Sequence, residues 1–242
     1  MYKEEKLLTI IIVTYNAAGT FQKCLDSIVN QSAFSIIDIV VIDGQSVDDT
    51  INILAKNQEQ ITYWKSEPDR GIYDAMNKAL NHIHTPWVYF MGADDSLLPD
   101  FSSYLTVLQD ETHIYYANVL YKGKKCSGHI TPYRQAKLGL FHQSIIYPSS
   151  VFKKYKYNTK YRIAADYALN MQLYKDPEYT FAYKDYVIAD YNHTGVSAIK
   201  DQAFEADKSK MIFQYFGFKI WSRYIFRLFK AILFSKHTPN EN

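Results

Sequence analysis

Residues 7–16 read LLTIIIVTYN and residues 36–46 read IIDIVVIDGQS. Each is a short, nearly continuous β-branched run that stops abruptly at polar positions. Such a run predicts a strand buried on both faces, as in a parallel sheet, where covering helices leave no solvent face for polar alternation. Between the two runs, Phe21, Leu25, Ile28 and Val29 fall at helical spacing, and Ile51, Ile53 and Leu54 mark a second helix after SVDD at 46–49. A strand near 61–64, a helix over 71–84 with the stripe Ile72, Ala75, Met76, Ala79, Leu80 and Ile83, and a strand at WVYFM, 87–91, continue the alternation. This order predicts an open α/β sheet with right-handed crossovers, in which ligands gather at the carboxyl ends of the strands. Three turns then share one rim: Thr14-Tyr15-Asn16, Asp43-Gly44-Gln45-Ser46 and Gly92-Ala93-Asp94-Asp95.

Past residue 100 the pattern predicts a helix near 100–109, a strand near 113–121, a Gly/Lys-rich hairpin at 122–129, a loop, a helix near 163–175 and strands near 179–191. No internal repeat, low-complexity tract or linker interrupts the chain. Its 242 residues suffice for a sizeable core. With 27 Lys+Arg against 25 Asp+Glu, the net charge of +2 provides no global field to recruit nucleic acid. Two cysteines, Cys24 and Cys126, are too few for a disulfide framework and fit a reducing compartment, so the expected location is the cytoplasm. The apolar run at 7–13 is too short for a signal sequence, and no stretch of about 18 apolar residues is present to span a bilayer.

The first βα turn, TYNAAG at 14–19, carries neither a dinucleotide-binding glycine fingerprint nor a P-loop. The adjacent carboxylates Asp94 and Asp95, directly after a buried strand, suit a hard cation such as Mg²⁺ or Mn²⁺, which takes carboxylate oxygens and bridges to substrate phosphates. The bland alternative is a helix cap near Pro99 or a solvated turn. Asp43, at the end of the second strand, tips the balance toward a ligand rim, because independent turns rarely all display acids on one edge.

Four segments, TIIIVTYNAAGTFQKCLDSI (9–28), VVIDGQSVDDTINIL (40–54), SEPDRGIYDAMNKAL (66–80) and YFMGADDSLLPD (89–100), resemble in order and spacing the nucleotide-sugar-binding half of glycosyltransferase family 2. The likeness implies the GT-A fold: a Rossmann-like open mixed sheet flanked by helices, with a C-terminal acceptor-binding part. It also implies an inverting, metal-dependent transfer from a UDP-sugar. By that resemblance Thr14, Tyr15 and Asn16 line the nucleotide pocket, Asp43 accepts a hydrogen bond from uracil, Arg70 lies near the nucleotide, Asp94 near the ribose, and Asp95 binds Mn²⁺ or Mg²⁺. Where many relatives carry two aspartates before Gly-Ser, this chain has Asp43-Gly44-Gln45-Ser46. YRIAADYALNMQLYKD (161–176) resembles the segment holding the catalytic base, which gives Asp166; its alternative is a first-turn acid favoured by the helix dipole. YNHTGVSA (191–198) resembles a loop that closes over the diphosphate, making His193 a further metal ligand. FHQSIIY (141–147) resembles a His-Gln pair near the acceptor cleft, making His142 and Gln143 acceptor-binding residues. Arg70 as a solvated ion-pair partner of Asp69 or Glu67, His193 as a structural loop residue, and His142 and Gln143 as core residues are the alternatives. The implied division is 1–110 for the nucleotide sugar, 111–216 for the acceptor and base, and 217–242 for a basic aromatic helix and tail.

In FGFKIWSRYIFRLFKAILF (216–234), Lys219, Arg223, Arg227 and Lys230 make one cationic stripe among aromatic and aliphatic residues. A helix of this kind lies well at an anionic membrane surface. It suits a peripheral enzyme at the inner face of the cell membrane that meets a lipid-linked saccharide acceptor in bacterial O-antigen, capsule or exopolysaccharide assembly. A helix that closes the core or joins a homodimer is the alternative, and a nucleotide-sugar-binding protein without turnover is the alternative for the whole chain.

Overall fold

The computed structural model describes residues 5–192 and 200–235. In chain order the elements are β1 (Leu8–Thr14), α1 (Phe21–Val29), β2 (Ile37–Asp43), α2 (Thr50–Lys56), β3 (Tyr63–Ser66), α3 (Ile72–Ala79), β4 (Trp87–Gly92), β5 (Ser96–Leu97) and α4 (Asp100–Leu105). There follow β6 (His113–Tyr121), β7 (Lys124–Cys126), α5 (Pro132–Leu138), β8 (Ile145–Pro148), α6 (Ser150–Lys154), α7 (Ala165–Lys175), β9 (Thr180–Tyr191) and α8 (Gln202–Ser235). They build one nine-stranded mixed sheet in the order β3-β2-β1-β4-β8-β6-β9-β5, with β7 paired to β6.

The β-branched runs form the parallel half, β3-β2-β1-β4, as their composition dictates. All seven residues of β1 are buried, and its pleat divides them between two cores. Leu8, Ile10 and Ile12 pack with α1 and α4 through Phe21, Leu25, Ile28 and Phe101. Ile11 and Val13 face α3 and α7 through Tyr73, Met76, Ala168 and Leu169. Register places Thr14 opposite Asp43 and Val13 opposite Gly92, so β1 ends between the two acid-bearing turns.

Beyond β4 the sheet turns antiparallel. β8 enters between β4 and β6 and runs against both, although its residues lie within a stretch that reads as loop in sequence. Four buried residues, IIYP, are too few to display a period, and Pro148 ends the strand. α5 and α6 lie in the same stretch. α5 begins with Thr131 capping the Arg134 N–H and Pro132 in the first turn, a pairing of start signals that fixes a helix of only seven residues.

α8 is two arms, not one. Gly217 breaks it with φ 79° and ψ 174°, a conformation open to glycine and strained for other residues. The second arm doubles back on the first: Trp221 Nε1 donates to Ser209 Oγ at 3.1 Å, and the Phe213 and Trp221 rings meet at 5.5 Å. Arg223, in the cationic stripe, lays its guanidinium over the Tyr133 ring of α5, 4.1 Å from its centroid. Phe218, Phe226, Phe229 and Leu233 share one exposed face of the second arm, beside Lys219, Arg227 and Lys230, while Tyr224 is buried. Among the described residues no helix is long and apolar enough to cross a membrane. Cys24 on α1 and Cys126 on β7 are both free thiols.

Candidate active site

The turn after β4 sets two carboxylates side by side, Asp95 buried and Asp94 partly exposed. Asp95 is 1% exposed. Its Oδ2 accepts from the Gly92 N–H at 3.1 Å and from Gln143 Nε2 at 2.9 Å, and its Oδ1 accepts from the Asn192 N–H at 2.9 Å. Both carboxylates crowd Gly92, where a Cβ would lie 2.8 Å from Asp95 Oδ2 and 2.9 Å from Asp94 Oδ1, so a side chain there would push the pair aside. Desolvation, with Asp94 adding repulsion, outweighs the three hydrogen bonds and pushes the Asp95 pKa up from 3.8 to about 7. Beneath the turn, burial first and then these charges hold the Cys24 thiol and the Tyr89 phenol in their neutral forms, since the thiol feels Asp95 and Asp94 and the phenol Asp95.

These residues fit a hard divalent cation. A rise from 3.8 to about 7 corresponds to roughly 4 kcal/mol against the charged form, a penalty that a cation beside Asp95 offsets. Among the described residues no group of three His, Cys, Asp or Glu converges as a self-sufficient cage. Mg²⁺-like ions are held by one or two carboxylates while substrate phosphates complete the shell, and Asp94 and Asp95 are adjacent carboxylates on one turn. His193, the other ligand expected from sequence, lies outside the described residues.

Across β1, the second turn is organised by Asp43. Fully buried, it accepts from the Ser46 N–H at 2.9 Å and from the hydroxyls of Ser46 and Ser66 at 2.5 and 2.6 Å. Asn16, at φ 49°, locks the first turn to the second: its N–H donates to Ser46 Oγ and its Oδ1 accepts from the Val47 N–H. Thr14 Oγ1 is buried with no hydrogen-bond partner, while Tyr15 next to it is 65% exposed. Asp69 closes the same wall, because its Oδ2 lies 2.6 Å from where a Cβ on Gly44 would sit and Tyr15 Cδ2 lies 3.5 Å from that point. Arg70 turns to solvent, its side chain 81% exposed and paired at 2.8 Å with Asp74, not with Asp69 or Glu67.

The third part of the site lies under α3 and α7. Asp166 occupies the first turn of α7, and its Oδ1 accepts from the Tyr73 hydroxyl at 2.5 Å. Burial is the main cause, and the Asp166 charge a lesser one, of the raised phenol pKa values of Tyr73, Tyr147 and Tyr157. His142 Nε2 meets the Tyr157 hydroxyl at 3.1 Å and its ring stacks on Phe90 at 5.3 Å, with desolvation lowering its pKa. Gln143 grips Asp95 on its other side. The 142–143 pair thus joins the acidic turn to the Asp166 cluster.

Asp43, Asp94 and Asp95 therefore share one rim. The Asp43 and Asp95 turns lie two strand spacings apart, roughly 10 Å. Sequence spacing did not single out Asp69, Tyr73 or Asn192. Asp69 and Tyr73 flank Arg70 and the start of α3, where nothing local marks them as site residues, and Asn192 contributes a main-chain N–H, which no side-chain pattern reveals.

The chain matches Glycosyl transferase family 2 over residues 9–177. A PGL/p-HBAD biosynthesis glycosyltransferase of Mycobacterium bovis is 31% identical over 201 residues, covering 78% of each chain. Among solved structures, S. aureus TarS 1-349 in complex with UDP-GlcNAc superposes with a TM-score of 0.67 at 16% identity, over 86% of this chain and 67% of that one. This chain spans 43% of a longer TarS chain. A mannosyltransferase from Pyrobaculum calidifontis in complex with GDP-Man and Mn²⁺ gives 0.62 at 17% identity, over 88% of this chain and 63% of that one. The solved structures share the fold, and the match over most of the sequence makes this chain a member of glycosyltransferase family 2.

Proposed function

We propose that the protein transfers a sugar from a UDP-sugar to an acceptor hydroxyl with inversion, using Mn²⁺ or Mg²⁺ held by Asp95 with Asp94 beside it. The observation that carries this reading is the buried acidic turn joined through Gln143 and His142 to Asp166. Residues 1–110 serve the donor and 111–216 the acceptor. Thr14, with its unpartnered hydroxyl, and Tyr15 line the nucleotide pocket, Asn16 fixes its rim, and Asp43 accepts the uracil N–H by giving up one of its two serine hydroxyls. Arg70 reaches the nucleotide by leaving an exposed ion pair, which costs little. When bound, the cation neutralises charge that develops on the leaving diphosphate. Asp166 removes the acceptor hydroxyl proton, held by Tyr73 so that its second oxygen is presented. His142 and the surrounding tyrosines offer rings for an acceptor sugar.

The acceptor is a lipid-linked saccharide in bacterial O-antigen, capsule or exopolysaccharide assembly, met at the inner face of the cell membrane. The relative named for PGL/p-HBAD biosynthesis widens the acceptor class to consider. The exposed aromatic face of the second arm of α8, edged by Lys219, Arg227 and Lys230, supports the membrane contact.

Replacing Asp166 by Asn tests the assignment. Turnover, read as UDP release with an acceptor present, is expected to fall by roughly 10²–10⁴-fold while UDP binding is retained. Unchanged turnover removes Asp166 from the base role and favours a binding protein.

A further inference from the structure

We propose that Asp201 is the positioning residue of the candidate base, an inference that rests on Asp166 holding that role. Asp201 directly precedes α8, is 9% exposed and joins two helix starts. Its Oδ2 accepts from the N–H groups of Ile163 at 2.8 Å and Ala164 at 3.3 Å, the two residues before α7. Its Oδ1 accepts from the Phe204 N–H at 3.1 Å in the first turn of α8.

The Phe204 N–H is one that a helix start leaves without an intrahelical partner, the Ile163 and Ala164 N–H groups lie just ahead of α7, and a carboxylate is favoured near helix N-termini. Among the described residues no Lys, Arg or His forms a salt bridge with Asp201, so the three N–H groups carry its hydrogen bonding.

The peptide that Asp201 holds is also gripped from its far side. The Tyr73 hydroxyl lies 2.9 Å from the Ile163 carbonyl and shares its one hydrogen between that oxygen and Asp166 Oδ1. A continuous path therefore runs from Asp201 through the 163–164 backbone to Tyr73 and Asp166. Loosening the peptide at Asp201 shifts both the residue that carries the base and the phenol that orients it. Effects of this kind on turnover are large because a displacement of about 1 Å from productive geometry costs about 10²-fold.

Asp201→Asn is nearly isosteric and turns one acceptor atom into a donor facing N–H groups. The test is a double-mutant cycle of Asp201→Asn and Asp166→Asn. It uses whichever pair of UDP-glucose, UDP-galactose or UDP-GlcNAc with an alkyl glycoside gives the fastest UDP release in the unmodified protein. Asp201→Asn alone is expected to lower kcat at least tenfold, with the donor KM and the Mn²⁺-dependent thermal shift by UDP unchanged within twofold. The double variant is expected to be no slower than Asp166→Asn, because a residue that acts through another adds nothing once that other is gone. Turnover within twofold of the unmodified protein, or losses that multiply in the double variant, overturns the proposal. Should Asp201→Asn fail to fold by circular dichroism, Tyr73→Phe removes the next link and must show the same kcat loss and the same non-additivity, or the proposal is wrong. If Asp166→Asn itself retains turnover, it is the base assignment that fails; if Asp166→Asn loses turnover but Asp201→Asn is silent, the positioning role alone fails.

Discussion

At the scale of single residues, chemistry is set by how little water reaches each carboxylate. Asp95 has its folded pKa raised from 3.8 to about 7. A raised carboxylate favours folding when protonated, so this contribution is fully present below about pH 4 and is lost as pH rises through 7. Divalent cations need the ionised form, and their affinity is expected to fall about tenfold per pH unit below 7. Titrating Mn²⁺ at pH 6 and pH 8 while following thermal stability checks this; equal affinity at the two values contradicts it. The acids of the rim were legible in sequence because each sits where a buried strand must end. The partners that tune them were not. Gln143 and the Asn192 N–H reach Asp95 from 48 and 97 residues away, and Tyr73 and Asp166 meet across 93, distances that no local pattern encodes.

At the scale of elements, the parallel strands and their helices announce themselves through β-branched runs and helical stripes, while β8, α5 and α6 are too short to show a period. The C-terminal helix was legible as a basic aromatic segment beginning at Gly217, but its reversal depends on the first arm, Trp221 and Ser209. Substituting Gly217 by Ala places a side chain at φ 79° and is expected to cost about 1–2 kcal/mol of stability, measurable by denaturant unfolding. An unchanged midpoint contradicts a fixed corner there. Phe226→Ser with Phe229→Ser alters only exposed rings, so co-sedimentation with anionic phosphatidylglycerol vesicles is expected to drop without loss of melting temperature. Unaltered co-sedimentation contradicts membrane contact through this face.

At the scale of the whole molecule, the two halves proposed to serve donor and acceptor share one sheet, because β8 and β6 extend the parallel half without a break. Differential scanning calorimetry is therefore expected to give a single unfolding transition, and two separable transitions contradict a shared core. A ligand that binds the folded state at one end of the rim is therefore expected to stabilise the entire fold by mass action. Whether the buried acidic turn holds a diphosphate through a divalent cation is read from the thermal shift produced by UDP with and without Mn²⁺ in the unmodified protein and in Asp95→Asn. A UDP-dependent rise in melting temperature that needs Mn²⁺, is abolished by EDTA and is absent from Asp95→Asn is expected. An equal rise in EDTA, or in Asp95→Asn, would contradict it.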